Sequence, residues 1–212
     1  MTSIVILISG RGSNMEAIVK TAQKEAWPAK IAAVISNRPD ASGLDFAKSY
    51  GIPTAVLDHK NFKDRVEFDH QLIELIDSYN PDLVVLTGFM RILTGDFVRH
   101  YKGKLLNIHP SLLPLFPGLR THEQALAAGV SEHGATVHFV TEALDHGPAV
   151  IQASVPVFSS DDADVLAERV LRQEHIIYPR AVRWFIDNRI SIDRDRVLVN
   201  PPESQLIVSQ DK

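Results

Sequence analysis

Asn107 and His109 stand two residues apart where the apolar run LLNIH, residues 105–109, comes to an end. Pro110 follows immediately and would stop a strand ladder there. In a strand, residues i and i+2 point to the same side, so the two polar tips would be presented together. An amide N–H beside a protonated imidazole can donate two hydrogen bonds to a developing oxyanion. Asp145, in the turn TEALDHGP, offers a carboxylate that would orient the imidazole and keep it charged. An Asn, His and Asp set of this kind suits acyl transfer with no covalent enzyme intermediate. The plain alternative is a hydrogen-bonded pair at a strand end. Ser111, two residues past His109, is a rival nucleophile but lacks the G-x-S-x-G elbow. Metal chemistry has little support: the nine histidines are scattered, there is no H-E-x-x-H, and there are no cysteines. His138, inside an apolar run, reads as a hydrogen-bonded core residue. His59, His70, His100, His122 and His133 read as surface or loop residues.

A second stretch with chemical potential is ISGRGSN, residues 8–14. It lies between a strand-like run and a helical one, where backbone N–H groups and the helix dipole favour an anion. Ser13 and Glu16 have capping-box spacing, which marks a helix start. The stretch is not the dinucleotide fingerprint, because Met15 stands where the third glycine belongs. Ser36 and Asn37, not an acidic residue, close the second strand. Nor is it a Walker loop, since no Gly-Lys-Ser/Thr follows. It is either a phosphate site or a tight turn with a helix cap.

The elements that must position these residues alternate from the first residue onward. Ile4–Ile8 is a strand, followed by a helix beginning near Met15. Ile31–Ile35 precedes a helix in GLDFAKSY that ends at Gly51, and Thr54–Leu57 is a third strand. Phe68, Leu72, Leu75, Ile76 and Tyr79 recur at helical spacing across about Arg65 to Tyr79. DLVVLTGF reads as a central parallel strand, apolar on both faces, and a short helix over Thr94–Tyr101 leads into LLNIH. Such alternation implies a doubly wound, mostly parallel α/β sheet. After residue 130, GATVHFVTE and AVIQASVPV are too close for a crossover helix, so they should pair antiparallel. A long helix should then run from about Asp162 to Asn188, broken near Pro179. No linker divides the chain. The reading is one domain over 1–190 and a tail over 191–212, partly extended or disordered, with residues 203–212 frayed.

The 212 residues carry a net charge of −4 and are 45% hydrophobic, ordinary for a globular protein and unlike a phosphate-gripping nucleic-acid binder. The N-terminus MTSIVILISG has no basic segment before its apolar run, so no signal peptide is expected. No apolar stretch approaches the roughly 20 residues a membrane helix needs. Without cysteines, the chain suits a reducing cytoplasm.

Six motifs, ISGRGSN, SNRPDASGL, GFMRIL, LLNIHPSLLP, GATVHFVTEALDHGP and QEHIIYP, occur in order. By them the chain resembles the glycinamide ribonucleotide formyltransferases, folate-dependent enzymes of purine biosynthesis, over nearly its whole length. The resemblance implies the formyltransferase fold and transfer of a formyl group from 10-formyltetrahydrofolate to the glycinamide amine. It implies Asn107, His109 and Asp145 as the catalytic set. Gly12, Ser13 and Asn14 would hold the ribonucleotide phosphate, and Glu174 its ribose. Arg65, Met90, Arg91, Ile92, Leu93 and Asn107 would meet the folate, with Thr141, Glu142, Ala143, Leu144 and Asp145 closing around its pteridine. No metal, nicotinamide or flavin is implied. The partners are small molecules, with no nucleic acid or membrane, in a monomer or homodimer. Leu115, where many relatives carry lysine or a small polar residue, and His146, for a common glycine or alanine, depart from the pattern. Related enzymes share the chemistry. A tRNA formyltransferase is expected to add a C-terminal domain and a basic face, and a formyltetrahydrofolate deformylase an N-terminal regulatory domain. The reading from another class is a non-catalytic nucleotide-binding domain that uses only the glycine loop.

Overall fold

The computed structural model describes residues 1–209. The chain divides into two compact units, Met1–Asn107 and Ile108–Lys212. No linker composition marks this boundary because it falls inside a continuous strand.

In the first unit the elements follow in the order β1 (Thr2–Ile8), α1 (Ser13–Lys24), β2 (Ala29–Ser36), α2 (Gly43–Ser49), β3 (Thr54–Val56), α3 (Arg65–Asp77), β4 (Leu83–Leu86), α4 (Gly95–His100) and β5 (Leu105–His109). A 3₁₀ turn, His59–Asn61, precedes α3. The strands lie in the order β3-β2-β1-β4-β5, all parallel. Ile4 to Ile8 and Leu83 to Val85 are fully buried, as strands covered on both faces must be. The register sets Ile8 beside Ser36, Leu7 beside Leu86, and Leu86 beside Asn107. Ser9, Asn37, Thr87 and Asn107 therefore end up along one carboxyl edge. The strand order reverses between β1 and β4, the place where open α/β sheets bind ligands.

In the second unit come α5 (Thr121–Ala128), β6 (Glu132–Phe139), β7 (Ala149–Pro156), α6 (Ala163–Ile186), β8 (Ile190–Asp193), β9 (Arg196–Val199) and β10 (Leu206–Val208). β6 and β7 pair antiparallel, as their short connection required, with an irregularity at Val137/His138. α6 packs on both of them. Two expectations change here. α6 is not broken at Pro179 but carries it as a buried residue inside one 24-residue helix. A proline in a helix interior costs about 3 kcal/mol. Each fully buried large apolar side chain contributes about 1.5–3 kcal/mol. With Ile177, Tyr178, Val182 and Trp184 all buried around the proline, packing wins. The residues after 190 also form more structure than charge and proline suggested. β8 and β9 make a hairpin, and β10 pairs parallel with β7 in place of the fraying expected there. Residues 210–212 lie outside the described residues.

Candidate active site

At the carboxyl edge of the first unit, the glycine loop lines a cleft of about 500 Å³. Ser9 to Asn14, Asn37, Arg38, His59, Thr87, Gly88 and Met90 form its walls, and the volume is in the range that holds small ligands. The capping box expected from Ser13 and Glu16 is absent. The N-cap is Gly12, left-handed at φ 66°, ψ 48°, with no side-chain cap bond, and Ser13 is already helical. Glu16 instead faces Arg11 and Lys20, each at 3.4 Å. The first N–H groups of a helix lack intrahelical partners, and here no N-cap side chain is spent on them. That arrangement suits an anion. Gly12 is favoured twice over, since its left-handed backbone suits glycine and a Cβ would lie only 3.0 Å from Ile8 Cγ2. Gly12→Val should weaken ribonucleotide or phosphate binding by about 5- to 150-fold, on strain of about 1–3 kcal/mol. Calorimetric titration should find folate binding largely retained; equal loss of both ligands in a folded variant would remove the loop's assignment.

The residues of the first unit expected to meet the folate are spread more widely. Met90 is 77% exposed and lines the cleft. The Arg91 guanidinium stacks on Phe68, 4.7 Å from the ring centroid. Ile92 is exposed and Leu93 half-buried. Arg65, the first residue of α3, is exposed and not among the residues lining the cleft.

The second unit brings His109 and Asp145 together from positions far apart in the chain. His109 is buried, with Nδ1 3.6 Å from Asp145 Oδ2 and Nε2 3.0 Å from the Phe116 carbonyl oxygen. Both ring nitrogens thus face oxygen atoms, an arrangement that accommodates an imidazole protonated at both. Asp145 is left-handed (φ 54°), its side chain only 7% exposed, and its Oδ2 accepts the Gly118 N–H at 2.9 Å. Gly147 lets the loop turn back under β6: a Cβ there would fall 1.7 Å from the Phe139 oxygen. The turn after His109 is pinned by Thr136, which donates to the Ser111 carbonyl (2.7 Å) and accepts from Leu113 N–H (3.1 Å). Gln152 also donates to the Leu113 carbonyl, at 3.0 Å. Ser111 is fully buried and donates to the Leu115 carbonyl at 2.6 Å, which is a scaffold role.

Asp145 has a second histidine nearby, His138 Nε2, at 4.0 Å. His138 is a core residue as expected, bonded through Nδ1 to the Phe139 oxygen at 3.1 Å. Burial pushes its pKa down, outweighing the attraction of Asp145. Of the two imidazoles, His109 lies nearer the carboxylate, at 3.6 Å against 4.0 Å. Thr141, Glu142, Ala143 and Leu144 form the exposed part of the same loop. Glu174 is buried on α6.

His133 was expected at the surface but is 1% exposed within β6, and His122 is half-buried against it, Nε2 to Nδ1 at 3.2 Å. The sequence hides this because only the packing of α5 and the sheet closes over the ring. Desolvation, then the charges of His122 and His109, brings the His133 pKa from 6.5 down to about 4. The unfolded chain therefore takes up a proton at this ring near pH 6.5, whereas the folded chain does so only near pH 4. Its stability is fully present above about pH 6.5 and is lost as pH falls toward 4, by up to about 1.4 kcal/mol per pH unit. Urea unfolding at about pH 7.5 and about pH 5 should show the loss, reduced in His133→Gln. A slope identical in the two proteins would mean that His133 does not contribute.

Ser9, Asn37 and His59 in the cleft were not singled out from sequence. The available signal was that Ser9 and Asn37 are polar residues directly after apolar strand runs.

Residues 2–182 match the family model described as "Formyl transferase". The chain is 52% identical over 190 residues to the phosphoribosylglycinamide formyltransferase of Escherichia coli (strain K12), covering 90% of each. It is 48% identical over 189 residues to the trifunctional purine biosynthetic protein adenosine-3 of Homo sapiens, of which it spans 19%. The crystal structure of glycinamide ribonucleotide transformylase 1 from Symbiobacterium toebii superposes with a TM-score of 0.91 at 43% identity, covering 94% of both chains.

Proposed function

Because the chain belongs to the formyl transferase family, we propose that it moves a formyl group from 10-formyltetrahydrofolate to the amine of glycinamide ribonucleotide, in purine biosynthesis. The observation that carries the mechanism is the buried His109–Asp145 pair, with Asn107 two residues before His109 on β5. The amine attacks the formyl carbon, and the formyl oxygen takes on negative charge. Asn107 and the protonated His109 donate to that oxygen, where preorganised donors are most effective, His109 through the Nε2–H that meets the Phe116 carbonyl when no substrate is bound. Asp145 balances the imidazolium and passes a proton, directly or through a water, from the attacking amine to the leaving folate nitrogen. Collapse of the tetrahedral intermediate gives the formylated amide and tetrahydrofolate. Gly12, Ser13, Asn14 and Glu174 hold the ribonucleotide. Arg65, Met90 to Leu93 and the loop Thr141 to Asp145 hold the folate.

The reaction needs no metal, nicotinamide or flavin on this reading. Among the described residues no cluster of three His, Asp or Glu side chains could hold a metal ion, and no helix is long and apolar enough to cross a membrane. The protein acts on small molecules in the cytoplasm, as a monomer or homodimer, and does not engage nucleic acid. The test is tetrahydrofolate release from 10-formyltetrahydrofolate, with and without glycinamide ribonucleotide, before and after exhaustive chelation. Release that depends on the ribonucleotide and survives chelation is expected. Ribonucleotide-independent release would make the protein a deformylase, and no release at all would leave only a binding domain. Loss on chelation that zinc or magnesium restores would overturn the metal-free mechanism.

A further inference from the structure

One hydroxyl in the first unit joins the segments assigned to the two ligands. Ser9, the residue before the glycine loop, is 5% exposed, and Asn37, at the end of β2, is 3% exposed. Ser9 Oγ donates to Asn37 Oδ1 at 2.5 Å and accepts the main-chain N–H of Met90 at 2.8 Å. Asn37 is in turn held against the His59 ring, with Nδ1 3.2 Å from Asn37 Nδ2 and 2.9 Å from its main-chain oxygen. A hydroxyl has one proton to give, so its direction is fixed by Asn37, and giving it strengthens the lone pair that receives the Met90 N–H. The phosphate loop, the end of β2 and the start of the Met90–Leu93 segment therefore share one polar junction. The Ser9–Asn37 bond itself is buried, and the junction borders the cleft that the glycine loop lines.

We propose that Ser9 is a positioning residue that couples the two substrates: an anion seated in the glycine loop fixes Ser9, and Ser9 fixes the Met90 amide from which the folate-binding segment departs. This rests on the ligand assignments above. Coupling of this kind is reciprocal, so each ligand must tighten the other by the same factor, which in proteins is typically about 5–150-fold. Asn37 belongs to the same junction. Removing either side chain should abolish the coupling, and removing both should do no more than removing one.

The experiment titrates tetrahydrofolate into the protein with and without saturating glycinamide ribonucleotide, a pair that cannot react because no formyl group is present. Wild type should bind tetrahydrofolate about fivefold or more tighter in the presence of the ribonucleotide. In Ser9→Ala that ratio should fall to near one, while the affinity for each ligand alone changes much less. Asn37→Ala and the double variant should give the same ratio, and Ser9→Thr, which keeps the hydroxyl, should restore coupling. In turnover, Ser9→Ala should raise the KM for each substrate measured at saturation of the other, with kcat less affected. An unchanged ratio in Ser9→Ala overturns the proposal, as does wild type that turns over normally without coupling. Wild type that binds neither ligand would overturn the functional reading as well, so the two failures are distinguishable.

Discussion

His109→Ala is expected to fold, to bind the folate, and to lose turnover by about 10²–10⁴-fold, the usual contribution of a positioned acid–base group. The ring is a buried group held between the Phe116 carbonyl and the Asp145 carboxylate. Truncation removes the donor proposed for the formyl oxygen but leaves intact the Thr136 and Gln152 bonds that pin the following turn. The fold should therefore survive. Steady-state kinetics beside a folate titration measure both halves of the expectation. Near-normal turnover in a folded variant would take His109 out of the mechanism.

Asp145→Asn is the second large effect. Asparagine is among the few side chains that tolerate the left-handed backbone this position adopts, and its amide oxygen can still accept the Gly118 N–H. The substitution thus keeps the loop and deletes the charge. kcat should fall by at least about 10²-fold, with much smaller changes in the binding of either substrate. Those two readouts together separate a chemical role from a scaffold role. A parallel rise in both dissociation constants with kcat preserved would show that Asp145 only shapes its own loop.

The sheet was readable from sequence because burial on both faces leaves strands such as Ile4–Ile8 and Leu83–Leu86 with no polar residue to confuse the pattern. Asn107 and His109 stood out for the opposite reason, two polar groups at the end of such a run. What stayed hidden depends on distant chain segments meeting. Nothing near Asp145 in the sequence announces that its carboxylate reaches Gly118 and His109. His133 looked like a loop residue because its neighbours Glu132 and Gly134 carry no apolar signal. Pro179 was read by the local rule for proline, and burial around it overrode that rule. Ser9 escaped notice because a serine before two glycines reads as turn composition, and its partners lie 28 and 81 positions away.

The three residues of β10 have a consequence for solubility and for handling the protein. They occupy the flank of β7, anchored by main-chain bonds from Gln152 N to the Gln205 oxygen and from Ser209 N to the Ser154 oxygen. An uncovered flank of that length would offer a ladder of open donors and acceptors to any other extended chain. β10 takes up those groups and is itself too short to serve as a good template, although Leu206 and Val208 are exposed. Chain shortened before Gln205 should therefore be prone to intermolecular strand pairing even where the proposed catalytic residues are untouched. Affinity tags belong beyond residue 209, not in place of the segment that precedes it.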